Sequence, residues 1–322
     1  MTISYEGQVA IITGGGGGIG KVQAIELARR GALVVVNDPR AAADGGLSPA
    51  EVVVAQIEAE GGRAVPSHHS IAEPEGGRAL VNLAVRHFGT VDAILHYAAV
   101  WRHVLMEDTT VDQLDPVLDV HLRGAFFVIQ PAWSIMKAKG YGRILLISST
   151  AGVFGRRFGA NYAAAKSGIL GLGRALALEG EEFGIRTNVV LPMSRPTVRH
   201  GAMPSDEVMA EFAKTGLRSG AHPPRAIPEL AASMPTYLAS RQCAVNGEAF
   251  EVGSGHYSRV FVGVTKGWLC GPDEVPTAED VAAHLPEIED RTSYLVPGSM
   301  HEQIRAVAQA IANRDGTTID TL

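Results

Sequence analysis

A run of five glycines, Gly14 to Gly18, separates a short β-branched stretch, Gln8 to Thr13, from a segment with helical spacing of apolar residues at Val22, Ile25, Leu27 and Ala28. Strand, tight turn, helix is the order that most narrows the folds open to this chain. Glycines at such a turn let the backbone approach a ligand closely, and the helix that follows presents free N–H groups to an anion. Glycines alone also suit a flexible turn. Their place between strand and helix near the amino terminus favours instead the pyrophosphate of a dinucleotide, with Gly14, Gly18, Ile19 and Gly20 of the pattern T-G-x-x-x-G-x-G as candidate contacts.

The next apolar run, Ala32 to Asn37, is nearly continuous and is closed by Asp38-Pro39, as expected of a strand buried on both faces. The alternation then repeats. Further strands are expected near Arg63–Ser67, Val91–Leu95, Arg143–Ser148, Arg186–Leu191 and Glu248–Val252, and helices near Pro49–Glu60, Pro74–Phe88, Val111–Lys137, Ala160–Phe183 and Ile227–Ala239. This predicts an α/β fold, a doubly wound Rossmann-type parallel sheet of about seven strands flanked by helices, over residues 1–257. From Ser258 to Leu322 the alternation lapses and Pro272, Pro276, Pro286 and Pro297 appear, so a C-terminal extension is expected there, with short helices at Ala278–His284 and His301–Ala312.

Asp38 stands 18 residues beyond Gly20, at the end of the second strand, where a carboxylate accepts hydrogen bonds from both adenosine ribose hydroxyls and repels a ribose phosphate. NAD is thus expected over NADP, although a guanidinium at Arg40 could bind that phosphate. Tyr162 and Lys166 lie one helical turn apart on one face. A free phenol is a poor base at neutral pH, but a neighbouring ammonium and an oxidised nicotinamide both favour its phenolate. Ser149 ends the preceding strand, where its hydroxyl can hold a substrate oxygen while Tyr162 moves the proton.

A net charge of −6 gives no basic footprint for nucleic acid or an anionic membrane surface. The apolar run near the amino terminus is too short to span a bilayer. Cys243 and Cys270 have no C-x-x-C spacing, which suits a reducing compartment, and a cytoplasmic location is expected. No metal-ligand spacing is present. Trp101, Trp133 and Trp268 are taken as packing residues.

With these residues in view, the chain resembles the short-chain dehydrogenase/reductases over about residues 5–255, and within them the D-3-hydroxyacyl-CoA dehydrogenase branch of peroxisomal multifunctional enzymes. GALVVVND, VHLRGAFF, QPAWSIMKAKGYGRI, SSTAG, ANYAAAKSGILGLGRALALEGEEFGIRTN and NGEAFEVGSG carry the likeness. The resemblance implies that Ser149 orients and polarises the substrate oxygen, that Tyr162 is the acid/base, and that Lys166 lowers its pKa and holds the nicotinamide ribose. It places Ala98 and Pro192 beside the cofactor, with His69 or Ser70 where an adenine-contacting aspartate is usual. His121 stands at the helix asparagine of a proton relay; a histidine satisfied by a nearby carbonyl is the equal alternative. His96-Tyr97-Ala98-Ala99 replaces N-N-A-G, and Pro192-Met193 replaces P-G.

The expected activity is hydride transfer between NAD and a secondary alcohol or ketone, a 3-hydroxyacyl thioester or steroid-like compound, by a homodimer or homotetramer. A ketoreductase for polyketide, aromatic or other bulky alcohols is the near alternative. A nucleotide- or ligand-sensing regulator is the distant one, disfavoured by the intact Ser149, Tyr162 and Lys166. Arg156 and Arg157, with Arg195, Arg199, Arg218 and Arg225 after the sixth strand, suggest a handle for an anionic substrate such as a CoA thioester.

Overall fold

The computed structural model describes residues 2–42, 45–194, 210 and 225–318. Its first unit, residues 1–259, is built on one sheet of eight strands: β1 (Val9–Thr13), β2 (Leu33–Asn37), β3 (Arg63–Ser67), β4 (Ala93–His96), β5 (Gly142–Ile147), β6 (Ile185–Pro192), β7 (Ala249–Gly253) and β8 (His256–Val260). They lie in the order β3-β2-β1-β4-β5-β6-β7-β8, and every pairing from β3 to β7 is parallel. All five residues of β1 and all six of β5 are buried, because helices cover both faces, and this is why the strands read as continuous apolar runs. Ile11, Ile12, Ile94, Leu95, Leu145 and Leu146 form the middle of that core.

Helices α1 (Gly18–Arg29), α2 (Pro49–Ala59), α3 (Pro74–Phe88), α4 (Val111–Leu118), α5 (Gly124–Lys139), α6 (Ala151–Phe154), α7 (Ala160–Gly180) and α8 (Ser233–Leu238) make the crossovers and flanking layers. The strand order reverses at β1, whose neighbours are β2 and β4. A crevice at the carboxyl ends of β1 and β4 is the consequence, and in such sheets ligands bind there.

Two helix expectations are corrected. Val111–Lys137 is not one regular helix: Asp119–Arg123 forms a π-helical turn between α4 and α5, with the Gly124 amide bonding the Asp119 carbonyl. A Cβ on Gly124 would meet the carbonyl oxygens of Asp119 and Ile71 at 3.0 Å, so a larger residue at that widened turn would press its neighbours apart by a few tenths of an ångström. Ile227–Ala239 divides into a 3₁₀ turn, Pro228–Ala231, and α8, because Pro235 lacks the amide that a continuous helix would bond to the Ala231 carbonyl. An eighth strand follows β7 through Ser254-Gly255, whose φ values of 54° and 85° make the two-residue turn that only antiparallel neighbours use.

The second unit, residues 260–322, contains a two-stranded antiparallel pair, β9 (Val264–Thr265) with β10 (Tyr294–Leu295), and helices α9 (Ala278–Ala283), α10 (Leu285–Ile288) and α11 (Met300–Asp315). Helices are present in both stretches where the sequence suggested them; the strand pair was not foreseen. Trp268 stacks on His284 at 3.9 Å between ring centres. Ala312 is the one buried residue among those described in this unit, so it holds little core of its own.

Candidate active site

The glycine turn leaves β1 at Thr13, which sits between Asn37 of β2 and His96 of β4. Gly14 has φ +67°, and a Cβ there would lie 2.8 Å from the Ala98 amide nitrogen, so the turn and the segment after β4 close on each other only because no side chain intervenes. Helix α1 starts at Gly18 without a side-chain cap and without an acidic residue in its first turn. Its free N–H groups, with Ile19 and Gly20 in that first turn, are suited to a phosphate pair.

Asp38 is 3% exposed and lies against the same loop: a Cβ on Gly16 would sit 2.6 Å from its Oδ2. Arg40 grips both of its oxygens, Nε to Oδ1 at 2.8 Å and Nη2 to Oδ2 at 2.7 Å. Carboxylate and guanidinium therefore occupy one spot, each poised for a different ribose substituent. Ser70 lies in the exposed stretch after β3, its hydroxyl accepting from the Ala72 amide. Pro192 ends β6 opposite Val252 of β7.

A buried chain of polar groups crosses from β1 to the π-helical turn. The Ala98 amide donates to Thr13 Oγ1 at 3.2 Å, so the Thr13 hydroxyl is free to donate to His96 Nδ1, also at 3.2 Å. That leaves the His96 proton on Nε2, which donates to the His121 carbonyl at 3.1 Å. Burial, with Lys166 nearby, pushes the His96 imidazolium down to about 4, so the ring is neutral. His121 is itself fully buried; its Nε2 lies 2.9 Å from the Val100 carbonyl, while Nδ1 has no partner. Burial and Lys166 hold His121 well below the usual histidine range.

Ser149 follows β5, and Tyr162 and Lys166 project from α7. Tyr162 faces the Ser149 hydroxyl, and its ring meets the His121 ring edge-on at 5.3 Å between centres. Burial raises the phenol to about 12, opposed by the nearby Ser149 hydroxyl and by the positive charge of Arg156. The Lys166 ammonium lies 5.7 Å from the Tyr162 ring centre and donates to the Ile147 carbonyl at 2.6 Å; burial lowers it to about 7. Four of the residues singled out in the sequence, His121, Ser149, Tyr162 and Lys166, thus gather at the carboxyl ends of β4 and β5, beside the glycine turn.

One packing residue has a place at the site. Trp101 packs as the sequence suggested, and the surface it packs on is Tyr162, face to face with ring centres 4.3 Å apart. No local spacing reveals this contact, which arises because the stretch after β4 docks on the loop before α7. Arg225 is exposed with φ 61°, while Arg195, Arg199 and Arg218 lie outside the described residues. No group of metal-ligating side chains occurs, and no helix is long and apolar enough to cross a membrane, among the described residues.

A parallel sheet wound in this order, with an anion-binding glycine turn and a tyrosine–lysine pair at its switch point, defines a dinucleotide-fold oxidoreductase class. Residues 8–206 match the family model for short chain dehydrogenases, and the chain belongs to that family, on the branch that includes the peroxisomal multifunctional enzymes. It is 34% identical over 294 residues to a protein of Mycobacterium tuberculosis assigned to the short-chain type dehydrogenase/reductases, covering 90% of this chain and 97% of that one. It is also 34% identical over 321 residues to mouse peroxisomal multifunctional enzyme type 2, covering 98% of this chain but spanning only 41% of the mouse enzyme. Among solved structures, full-length peroxisomal multifunctional enzyme type 2 from Drosophila melanogaster superposes with a TM-score of 0.76 at 28% identity, over 97% of this chain and 50% of that one. A short chain dehydrogenase from Mycobacterium avium gives 0.74 at 29% identity, over 88% and 96%.

Proposed function

We propose that the chain transfers a hydride between NAD and a secondary alcohol or ketone, with a 3-hydroxyacyl thioester as the preferred substrate class. The observation that carries this reading is the gathering of Ser149, Tyr162 and Lys166, the ammonium 5.7 Å from the Tyr162 ring centre, beside a crevice suited to a dinucleotide. Bound there, NAD supplies the hydride acceptor and a positive charge that favours the phenolate. In the oxidative direction Tyr162 takes the alcohol proton while Ser149 holds the oxygen. Lys166 adds its charge on the other side of the phenol and is positioned to meet the nicotinamide ribose. Gly14, Gly18, Ile19 and Gly20 would hold the pyrophosphate, Asp38 the adenosine ribose, and Ser70, Ala98 and Pro192 the flanks of the nucleotide.

The buried His121 ring, edge-on to Tyr162 and with an unpartnered Nδ1, extends the proton path, while its carbonyl holds His96. The unpartnered Nδ1 leaves one ring nitrogen open to hydrogen-bond along that path. The thioester preference is supported by the likeness to the multifunctional enzymes, and a homodimer or homotetramer by the family. Screening NAD⁺ and NADP⁺ reduction against hydroxyacyl thioesters, hydroxysteroids and aromatic alcohols tests the reading. Turnover of thioesters with NAD⁺ is expected; no turnover of any alcohol with either cofactor would overturn it.

A further inference from the structure

Beside the acid/base lies a group of side chains that the hydride-transfer reading leaves without a task. The Trp101 indole covers a face of Tyr162 at 4.3 Å and 23° from parallel, His103 stacks on Trp101 at 5.7 Å, and the guanidinium carbon of Arg156 stands 5.8 Å from the Trp101 ring centre. The two stretches that carry them are tied together. The Val104 amide donates to the Phe158 carbonyl at 3.2 Å, Val104 bridges to Gly159, and Asn161 Nδ2 donates to the Arg102 carbonyl at 3.2 Å.

Phe158 is buried with φ 58°, a left-handed conformation that costs a bulky residue on the order of 1 kcal/mol and persists only where surrounding contacts enforce it. The loop is therefore set in advance to hold Arg156 above the indole. Arg156 is exposed and has no carboxylate within ion-pair distance among the described residues; its contact is the Trp101 ring. A guanidinium carries five N–H donors in a fork that fits a carboxylate, and stacking on an aromatic face leaves those edge donors free.

We propose that Arg156, seated on Trp101, is a specificity determinant that binds a carboxylate at the acyl end of the substrate, so that short acidic hydroxyacyl compounds are taken in preference to neutral ones. The proposal rests on Tyr162 being the acid/base. Only two ring contacts separate the guanidinium from the phenol, so the anion it holds must lie a few bonds from the reacting carbon. The phosphates of a CoA carrier do not meet that condition, because the whole pantetheine arm stands between them and the acyl group. A carboxylate on the acyl chain does. Neutral His103, its pKa lowered by burial and by Arg156, leaves the positive charge at this wall to the guanidinium.

The test uses thioesters on N-acetylcysteamine, a carrier without phosphates, so that charge enters only through the acyl group. For the wild type, kcat/KM for the 3-hydroxyglutaryl thioester should exceed that for the 3-hydroxybutanoyl thioester by roughly tenfold or more, the range of a hydrogen bond to a charged group, with the difference in KM. Arg156→Gln should bring that ratio close to one, and Arg156→Lys should keep part of it. A wild type that prefers the neutral thioester, or a ratio unchanged in Arg156→Gln, overturns the proposal. A second readout needs no turnover: glutarate added to the NAD complex should quench the fluorescence contributed by Trp101, defined by its loss in Trp101→Phe. Quenching should need roughly tenfold more glutarate in Arg156→Gln. Equal glutarate binding in wild type and variant overturns the proposal, whereas Arg156-dependent binding without turnover of either thioester supports it and counts against the hydride-transfer reading alone.

Discussion

Lys166 donates its buried ammonium to the carbonyl of Ile147 at 2.6 Å, so the charge that the proposed mechanism uses is tied to the end of β5 in the protein alone. One neutral carbonyl does not replace the water removed by burial, and the ammonium is lowered from the ordinary lysine value to about 7. Above that pH the folded protein holds Lys166 neutral while the unfolded chain still binds the proton. Stability should therefore rise with pH from about 7 towards the ordinary lysine pKa near 10.4, by at most about 1.4 kcal/mol per pH unit from this group. Urea unfolding of wild type and Lys166→Met in parallel should show the wild type gaining on the variant across that window. A constant difference between them would contradict the assignment.

Asp38 and Arg40 make opposite demands on the cofactor from one place. Asp38→Ala should weaken NAD and relax discrimination against NADP, while Arg40→Ala should free the carboxylate and sharpen the preference for NAD. Dissociation constants for both nucleotides decide this. A wild type that already prefers NADP would make Arg40 the determinant and Asp38 its anchor.

His96 fixes the π-helical turn through the His121 carbonyl. In His96→Ala that buried acceptor loses its partner, at a cost of about 1–3 kcal/mol, and the His121 ring loses its fixed position. Thermal unfolding should show the lost stability, and kcat should fall more than KM rises if, as proposed, the turn carries the proton path rather than a substrate contact. His96→Asn, which keeps a donor, should recover part of both. A full kcat in His96→Ala would separate the turn from catalysis.

Much of this was legible in the sequence for local reasons. β1, the glycine turn and α1 are contiguous, and the Tyr162–Lys166 pair needs only helical spacing to share a face. Buried parallel strands leave continuous apolar runs, so Leu33–Asn37 and its neighbours stood out. What escaped depends on distant contacts. The π-helical turn requires Gly124 to pass close to the Ile71 carbonyl and His96 to reach the His121 carbonyl, neither of which any periodicity records. Trp101 looked like any core indole until the loop before α7 was seen to press it onto Tyr162. The hairpin to β8 was written in Ser254-Gly255 but was masked by the end of the strand–helix alternation.

The central claim is that Tyr162 moves the proton while NAD takes the hydride, and the most direct measurement is NADH formation by wild type and Tyr162→Phe under saturating NAD⁺ with a 3-hydroxyacyl thioester. Burial holds the phenol near 12 in the protein alone, so the wild-type rate should also climb with pH as the phenolate becomes accessible. The account predicts that the wild type forms NADH and that Tyr162→Phe loses roughly a hundredfold or more in rate while its affinity for NAD is unchanged. A variant that keeps more than about a tenth of the wild-type rate would contradict it.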